Sequence, residues 1–177
     1  MIKVIILSGV SGSGKDTYIK RFQIENPTTK TFVVSADHFF IKNGDYVFDP
    51  SKLSEAHGSC LRAFIQHIRN FIEDDGVVFV NNTNTTSEEI APYYAIASAY
   101  GAEVELVTLY VLPHIAAQRN THGVSLEAIR AMHDRLFERK IPSYWSINDN
   151  AWMFDSPLTG SLAKAHCRGG LHAIFVE

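Results

Sequence analysis

The sequence predicts an α/β three-layer sandwich with a mostly parallel central sheet, and two observations carry that expectation. Short runs rich in Val and Ile (Ile2 to Leu7, Thr31 to Val34, Val77 to Val80, Glu103 to Val111) recur between longer helical patterns. Strands that alternate with helices return by crossovers, which leave the sheet parallel and covered on both faces. The first run also leads straight into a glycine-rich turn, Gly9 to Gly14, with a helical pattern behind it. That strand, turn and helix order is the opening unit of many doubly wound folds.

Each element follows from local signals. The first helix is expected from about Lys15 to Phe22, with Asn26 and Pro27 ending it. From Leu53 to Ile72, Leu53, Ala56, Cys60, Leu61, Phe64, Ile68 and Phe71 step by three and four, the period of one buried helix face. Thr86 and Glu89 have capping-box spacing, but Pro92 would remove a hydrogen bond from a helix that ran through it, so that start stays open. Ser125 can cap a last long helix with Leu126, Ile129, Met132 and Leu136 on its buried face. From about Ser146 the chain changes character: it carries Pro157, Gly160, Gly169 and Gly170, and only His172 to Val176 reads as a further strand. Trp152 and Phe154 are expected to hold this extension, 146–177, on the core.

Bulk properties narrow the function classes. A chain of 177 residues with 46% hydrophobic composition can bury one sizeable core and is short for two, so residues 1–177 are read as one domain. A formal charge of −3 argues against a broad basic surface that coats nucleic acid, although a local basic groove is compatible with it. The two cysteines, Cys60 and Cys167, are too few for a disulfide framework or a zinc cluster, which fits a reducing cytoplasm. Ile2 to Leu7 is too short for a signal-peptide core, and no segment has the length and apolarity of a membrane span.

The segment GVSGSGKDT, Gly9 to Thr17, is a phosphate-binding loop by its residues and by its context. Gly9, Gly12 and Gly14 let the backbone curl so that amides, with Ser11 and Ser13 among them, point inward. The helix N-terminus adds a favourable field for an anion, and Lys15 brings a cation to the β- and γ-phosphates of ATP. Asp16 stands where a Ser or Thr hydroxyl ordinarily ligates Mg²⁺, so Thr17 is the first metal candidate and Asp16 a second, directly or through water. A carboxylate beside a triphosphate is repulsive unless a cation intervenes.

Asp37 lies just past the second strand, at the carboxyl edge where open α/β sheets bind ligands. A carboxylate there can accept the proton of an attacking hydroxyl held in line with the γ-phosphate, or it can simply cap a turn.

Taken in order, GVSGSGKDT, SADHFF, DYVFDPSKLSEAH, NNTNTT and RNTHGVS resemble the P-loop kinases related to the kinase half of phage polynucleotide kinase, including eukaryotic Nedd4-binding-protein-like kinase domains. The resemblance spans about Ile5 to Tyr144. It implies a P-loop fold, ATP and Mg²⁺ as cofactors, and, in the best-known members, phosphorylation of a polynucleotide 5′-hydroxyl. By the same resemblance Lys15 holds the transferred phosphate, Asp37 is the general base and Arg119 is the lid arginine that stabilises the migrating phosphoryl group. His57 matches the family's Glu-Ala-His element near the acceptor cleft, and Asn84 ends its acidic-Asn-Thr-Asn segment.

Three departures stand out. Asn81 replaces the strand-end acid, so metal affinity is weaker or Asp16 supplies the missing charge. His38 replaces the second of two adjacent acids. Phe40 occupies the place of an acceptor-binding arginine, where it and Phe39 can stack on a base or pack in the core.

The leading expectation is therefore a cytoplasmic ATP-dependent phosphotransferase acting on a single-stranded nucleic-acid end, with His38, Phe40, His57 and Asn84 on the acceptor side. A kinase of nucleoside monophosphates or other small molecules is the nearest alternative, suggested by the GK-x-T spacing and the modest charge. A nucleotide-binding module or weak ATPase is the alternative outside the kinases.

Overall fold

The apolar runs pair as the alternation requires. The computed structural model describes residues 1–71, 75–154 and 162–165. Strands β1 (Ile2–Ser8), β2 (Thr31–Val34), β5 (Gly76–Asn81), β6 (Glu103–Tyr110) and β7 (Asn148–Phe154) are parallel neighbours, and β8 (Leu162–Ala165) adds antiparallel to β7. The sheet order is β2-β5-β1-β6-β7-β8. A separate hairpin joins β3 (Ile41–Lys42) to β4 (Asp45–Tyr46).

The two-residue period of each central strand divides the core. Val4, Ile6, Val78, Val80 and Leu106 face α2 (Leu53–Asn70) and α3 (Ser87–Ala99), whereas Ile5, Leu7, Val77, Phe79 and Leu109 face α1 (Lys15–Glu25). A third cluster packs α4 (Pro113–Arg119) on α5 (Leu126–Glu138) through Val10, Val111, Ala116 and Ile129. Parallel strands place all their carboxyl ends on one edge, so the segments after β1, β2 and β5 meet there.

The α2 stripe is buried at Ala56, Cys60, Phe64 and Ile68, with Phe71 just past the helix, whereas Leu61 is half-buried and Leu53, in the first turn, is exposed. The helix at Thr86 settles the question raised by Pro92: it starts at Ser87 with a complete capping box and runs through the proline. The box and the burial of Ile90, Tyr93 and Ala97 offset the proline, whose lost bond and ring clash together cost about 3 kcal/mol. Ser125 caps α5 as expected, accepting from the Ala128 amide, but its buried face is narrower than the pattern: Ile129 and Leu136 are buried while Leu126 is 37% exposed.

Strand β7 was not legible in the periodicity, because NDNAWMF opens on three polar residues. Pairing makes it a strand: its backbone joins β6, and Asn148 and Asn150 donate to Glu103 and Glu105 of that neighbour at 3.1 and 2.8 Å. Trp152 anchors this segment as expected, edge-on to Tyr18. The expected strand His172 to Val176, and Cys167, lie outside the described residues.

Candidate active site

The turn after β1 is built for an anion. Gly12 and Gly14 adopt φ of 81° and 93°, and a Cβ on Gly12 would lie 2.1 Å from the Ala116 carbonyl, so only glycine lets the loop rest on α4. Gly9 anchors the turn, its amide donating to the Thr83 carbonyl at 2.8 Å. Lys15 folds its ammonium into the loop and donates to the Gly9 and Val10 carbonyls at 2.9 and 3.0 Å. Ser13 Oγ is buried with no partner, an orphan inside the cradle that a phosphate oxygen would satisfy. A cleft of about 510 Å³ opens above, lined by loop residues Ser11 to Thr17 and by Asp37, Asn81, Asn82, Thr83, Arg119, Thr121 and His122. Lys15, Asp37 and Arg119 thus share one cavity.

Burial holds the Lys15 ammonium down to about pKa 8, with the charges of Asp16 and Asp37 pulling it the other way. Phosphates stabilise the protonated form, so the bound-state pKa lies above the free-state value. Below pH 8 the lysine is already charged and nucleotide affinity is flat; above it, binding takes up a proton and weakens by up to about tenfold per pH unit. Calorimetry at pH 8.5 in buffers of different ionisation heat reads that uptake, and Lys15→Met removes it. Equal heats in both buffers would contradict the shift.

On the wall expected to face a metal, Asp16 and Asn81 meet. Asn81, at the end of β5, donates its amide to Asp16 Oδ1 at 2.7 Å. Its own Oδ1 is buried without a partner. The acid that the strand lacks therefore sits directly opposite, on the first turn of α1, with Thr17 beside it on the same cleft wall. Carboxylate, hydroxyl and amide oxygens are the hard donors Mg²⁺ prefers, and one carboxylate plus substrate phosphates is a common way to hold it. The residues fit the ion.

The base candidate sits on a 3₁₀ turn, Ala36–Phe40, opened by Ser35, whose Oγ accepts from the Asp37 amide at 3.2 Å. Asn82 ties this turn to β5: its Oδ1 accepts from the Ala36 amide at 2.9 Å, and its amide donates to the Tyr93 hydroxyl at 3.2 Å. Asn82 is thus a brace in the cleft wall, and Asn81 is the member of the pair that reaches Asp16.

Four acceptor-side expectations divide. His57 lines a second hollow of about 290 Å³ that shares Asn82 and Thr83 with the cleft. His38 is exposed and lines neither cavity. Phe40 is corrected: it is 2% exposed, packed in the core beneath Tyr46 and Phe48, and meets no acceptor. Asn84 is corrected as well. It borders the hollow, but its amide is spent on the Leu7 carbonyl at 2.7 Å and its own carbonyl accepts from Ser8 and Arg139, which makes it a strut between β1 and β5.

The residues that sequence reasoning missed are those that contact the ones it found. Tyr46 donates its hydroxyl to Asp37 Oδ1 at 3.1 Å. Arg119 is the last residue of α4, and the loop behind it is fixed by Asn120, whose Oδ1 accepts from Ser11 Oγ and from the His122 amide, both at 3.0 Å. Arg139 reaches Ser8, Thr108 and Asn84 and ties α5 to the ends of β1 and β6. Tyr46 stood within DYVFDPSKLSEAH, and the Asn43-Gly44 pair before it is a tight-turn signal that places it on a hairpin.

Comparison with known proteins agrees with this fold. Residues 4–138 match the model of an AAA domain family. Human NEDD4-binding protein 2 is 34% identical over 137 residues, which are 73% of this chain and 7% of that protein. A chain in the structure of the Pnkp1/Rnl/Hen1 RNA repair complex superimposes with a TM-score of 0.60 at 18% identity, over 76% of this chain and 43% of the other. The Mycobacterium tuberculosis APS kinase CysC, in complex with AMPPNP and APS, gives 0.53 at 18% identity, over 87% and 89%. A gluconokinase from Sinorhizobium meliloti 1021 gives 0.52 at 16%, over 84% and 82%. The last three support the fold. With a family match over most of its length the chain belongs to the AAA domain family, and its loop and sheet order give it the fold of the P-loop kinases.

Proposed function

We propose that this protein transfers the γ-phosphate of ATP to an acceptor hydroxyl, and that the acceptor is a polynucleotide 5′-hydroxyl end. The observation that carries the reading is the shared cleft: Asp37 faces the same cavity as Lys15 and Arg119, with its carboxylate oriented by Tyr46. Loop amides and Lys15 bind the triphosphate, Asp37 takes the hydroxyl proton as the new P–O bond forms and the bond from the γ-phosphorus to the β,γ-bridging oxygen breaks to leave ADP, and Arg119 neutralises charge on the phosphoryl oxygens.

Charge favours an acceptor with no phosphate beside its hydroxyl. The cations lining the cleft are Lys15 in the loop and Arg119 at the end of α4. The hollow beyond Asn82 is lined by His57, Leu61, Pro92 and Tyr93, and its charged groups are the carboxylates of Glu88 and Glu89. A nucleoside monophosphate seated there would set its dianion near Glu88, whereas a 5′-hydroxyl end is uncharged on its 5′ side and carries its first phosphodiester at the 3′ position. The test is transfer of labelled γ-phosphate to 5′-hydroxyl DNA and RNA oligonucleotides, nucleosides, nucleoside monophosphates and water. Label on monophosphates alone would move the assignment to a small-molecule kinase, and free phosphate alone to an ATPase.

Mg²⁺ would supply positive charge to offset that of the phosphates. Asp16 and Thr17 would hold it, with the unpartnered Asn81 Oδ1 beside them. Asp16→Ser is expected to lower Mg²⁺-dependent nucleotide affinity by about 10- to 100-fold. The exchange Asp16→Ser with Asn81→Asp returns the acid to the strand and recovers most of that loss. Calorimetry of nucleotide binding with and without Mg²⁺ reads both, and a serine variant with unchanged Mg²⁺ stimulation would remove Asp16 from the metal.

A further inference from the structure

The segment between the 3₁₀ turn and α2 forms a small flap over the base. Asn43 and Gly44 take φ of 54° and 94°, the two left-handed residues of a tight hairpin, and β3 and β4 flank them. The Val47 amide closes the flap by donating to the Phe40 carbonyl at 2.8 Å. Buried Phe40 is its floor, with the rings of Tyr46 and Phe48 edge-on to it at 6.2 and 5.1 Å. The flap is therefore seated on the core, and Tyr46 is held in place by packing as well as by its hydroxyl.

Tyr46 has two further contacts, and they face different parts of the site. Its hydroxyl donates to Asp37 Oδ1 at 3.1 Å, and its ring lies 4.7 Å from that of His122 in the loop after α4. That loop is tied in turn to the phosphate cradle, because Asn120 Oδ1 accepts both from Ser11 Oγ and from the His122 amide. A continuous line of contacts therefore runs from Ser11 through Asn120, His122 and Tyr46 to Asp37.

We propose that Tyr46 is a positioning residue that links the lid to the base: its hydroxyl orients the Asp37 carboxylate while its ring docks the His122 loop, so that nucleotide bound in the cradle steadies the acceptor side. Burial and the neighbouring Asp37 charge raise the Tyr46 hydroxyl to about pKa 12, so it stays a donor throughout the neutral range. One oxygen of Asp37 is engaged by Tyr46, and the other is left to receive the acceptor's proton. Coupling of this kind is reciprocal: nucleotide tightens acceptor binding by the factor by which acceptor tightens nucleotide binding.

The kinetic half of this proposal rests on Asp37 acting as the base, so its test has an arm that needs no acceptor. Hydrogen exchange is measured on the full chain with and without Mg²⁺ and a non-hydrolysable ATP analogue. In the wild type, the analogue is expected to slow exchange of amides in 41–47 as well as in the loop, 9–17. His122→Ala and Tyr46→Ala should keep the loop protection and lose the flap protection. Tyr46→Phe keeps the ring and loses the hydroxyl: flap protection should persist, while kcat for a 5′-hydroxyl oligonucleotide falls about tenfold at unchanged KM for ATP.

A merely structural tyrosine would instead lower the melting temperature and move both kinetic constants together. Flap amides that ignore the analogue in the wild type, or that stay protected in His122→Ala, would overturn the link. A Tyr46→Phe enzyme within twofold of wild-type kcat would overturn the orienting role. Should the oligonucleotide accept no phosphate at all, the proposed acceptor fails while the exchange arm still decides the link between lid and flap. Should Tyr46→Ala fail to fold, His122→Ala decides that arm alone.

Discussion

Asp37→Asn is expected to lower phosphoryl transfer by about 100- to 10,000-fold, the range over which a positioned general base contributes, while ATP affinity stays within about twofold. Asparagine is the informative substitution. Its Oδ1 can still accept from the Tyr46 hydroxyl, so the contact that orients the side chain persists while the basic oxygen is gone. Steady-state transfer and nucleotide titration on the same preparation separate the outcomes. Loss of transfer with intact binding supports the base; a parallel loss of binding would make Asp37 structural, and full activity would remove it from the mechanism.

Arg119→Ala is expected to cost about 1,000-fold in kcat, the low end of what a transition-state arginine supplies in phosphoryl transfer. Arg119→Lys should recover little, because an ammonium does not reproduce the planar fork that meets two phosphoryl oxygens at once. The position of the residue supports this expectation: it ends α4 and faces the cleft, and the loop it opens leans on Ser11 through Asn120. Single-turnover measurements isolate the chemical step, so a variant that lost only KM would assign Arg119 to ground-state nucleotide binding instead.

The arrangement without ligand explains why these effects are separable. Lys15 is occupied by two loop carbonyls, Asp16 by the Asn81 amide, and Asp37 by the Tyr46 hydroxyl. Each charged group thus rests on a neutral partner that nucleotide, metal or acceptor can replace. The partners hold the side chains toward the cleft, which reduces the ordering that substrates must supply on binding.

What the sequence determined by itself was whatever depends on neighbours along the chain. The glycine spacing from Gly9 to Gly14, the apolar strand before it and the helix behind it are local, and so are the α2 stripe, the Thr86 box and the Ser125 cap. With the resemblance added, the sequence also points to Lys15, Asp37 and Arg119. Tertiary structure decided which side chains meet across the sheet. Asn81 and Asp16 are 65 residues apart, and they touch because β5 lies beside β1 in parallel register, bringing its carboxyl end to the loop. Asn84 was lost to a strut between the same two strands and Phe40 to the core, since both satisfy their environments inside the protein. Strand β7 exists because β6 had an open edge and two glutamates to receive its asparagines. Periodicity carries burial along one element; it has no term for hydrogen bonds between residues that only the fold makes neighbours.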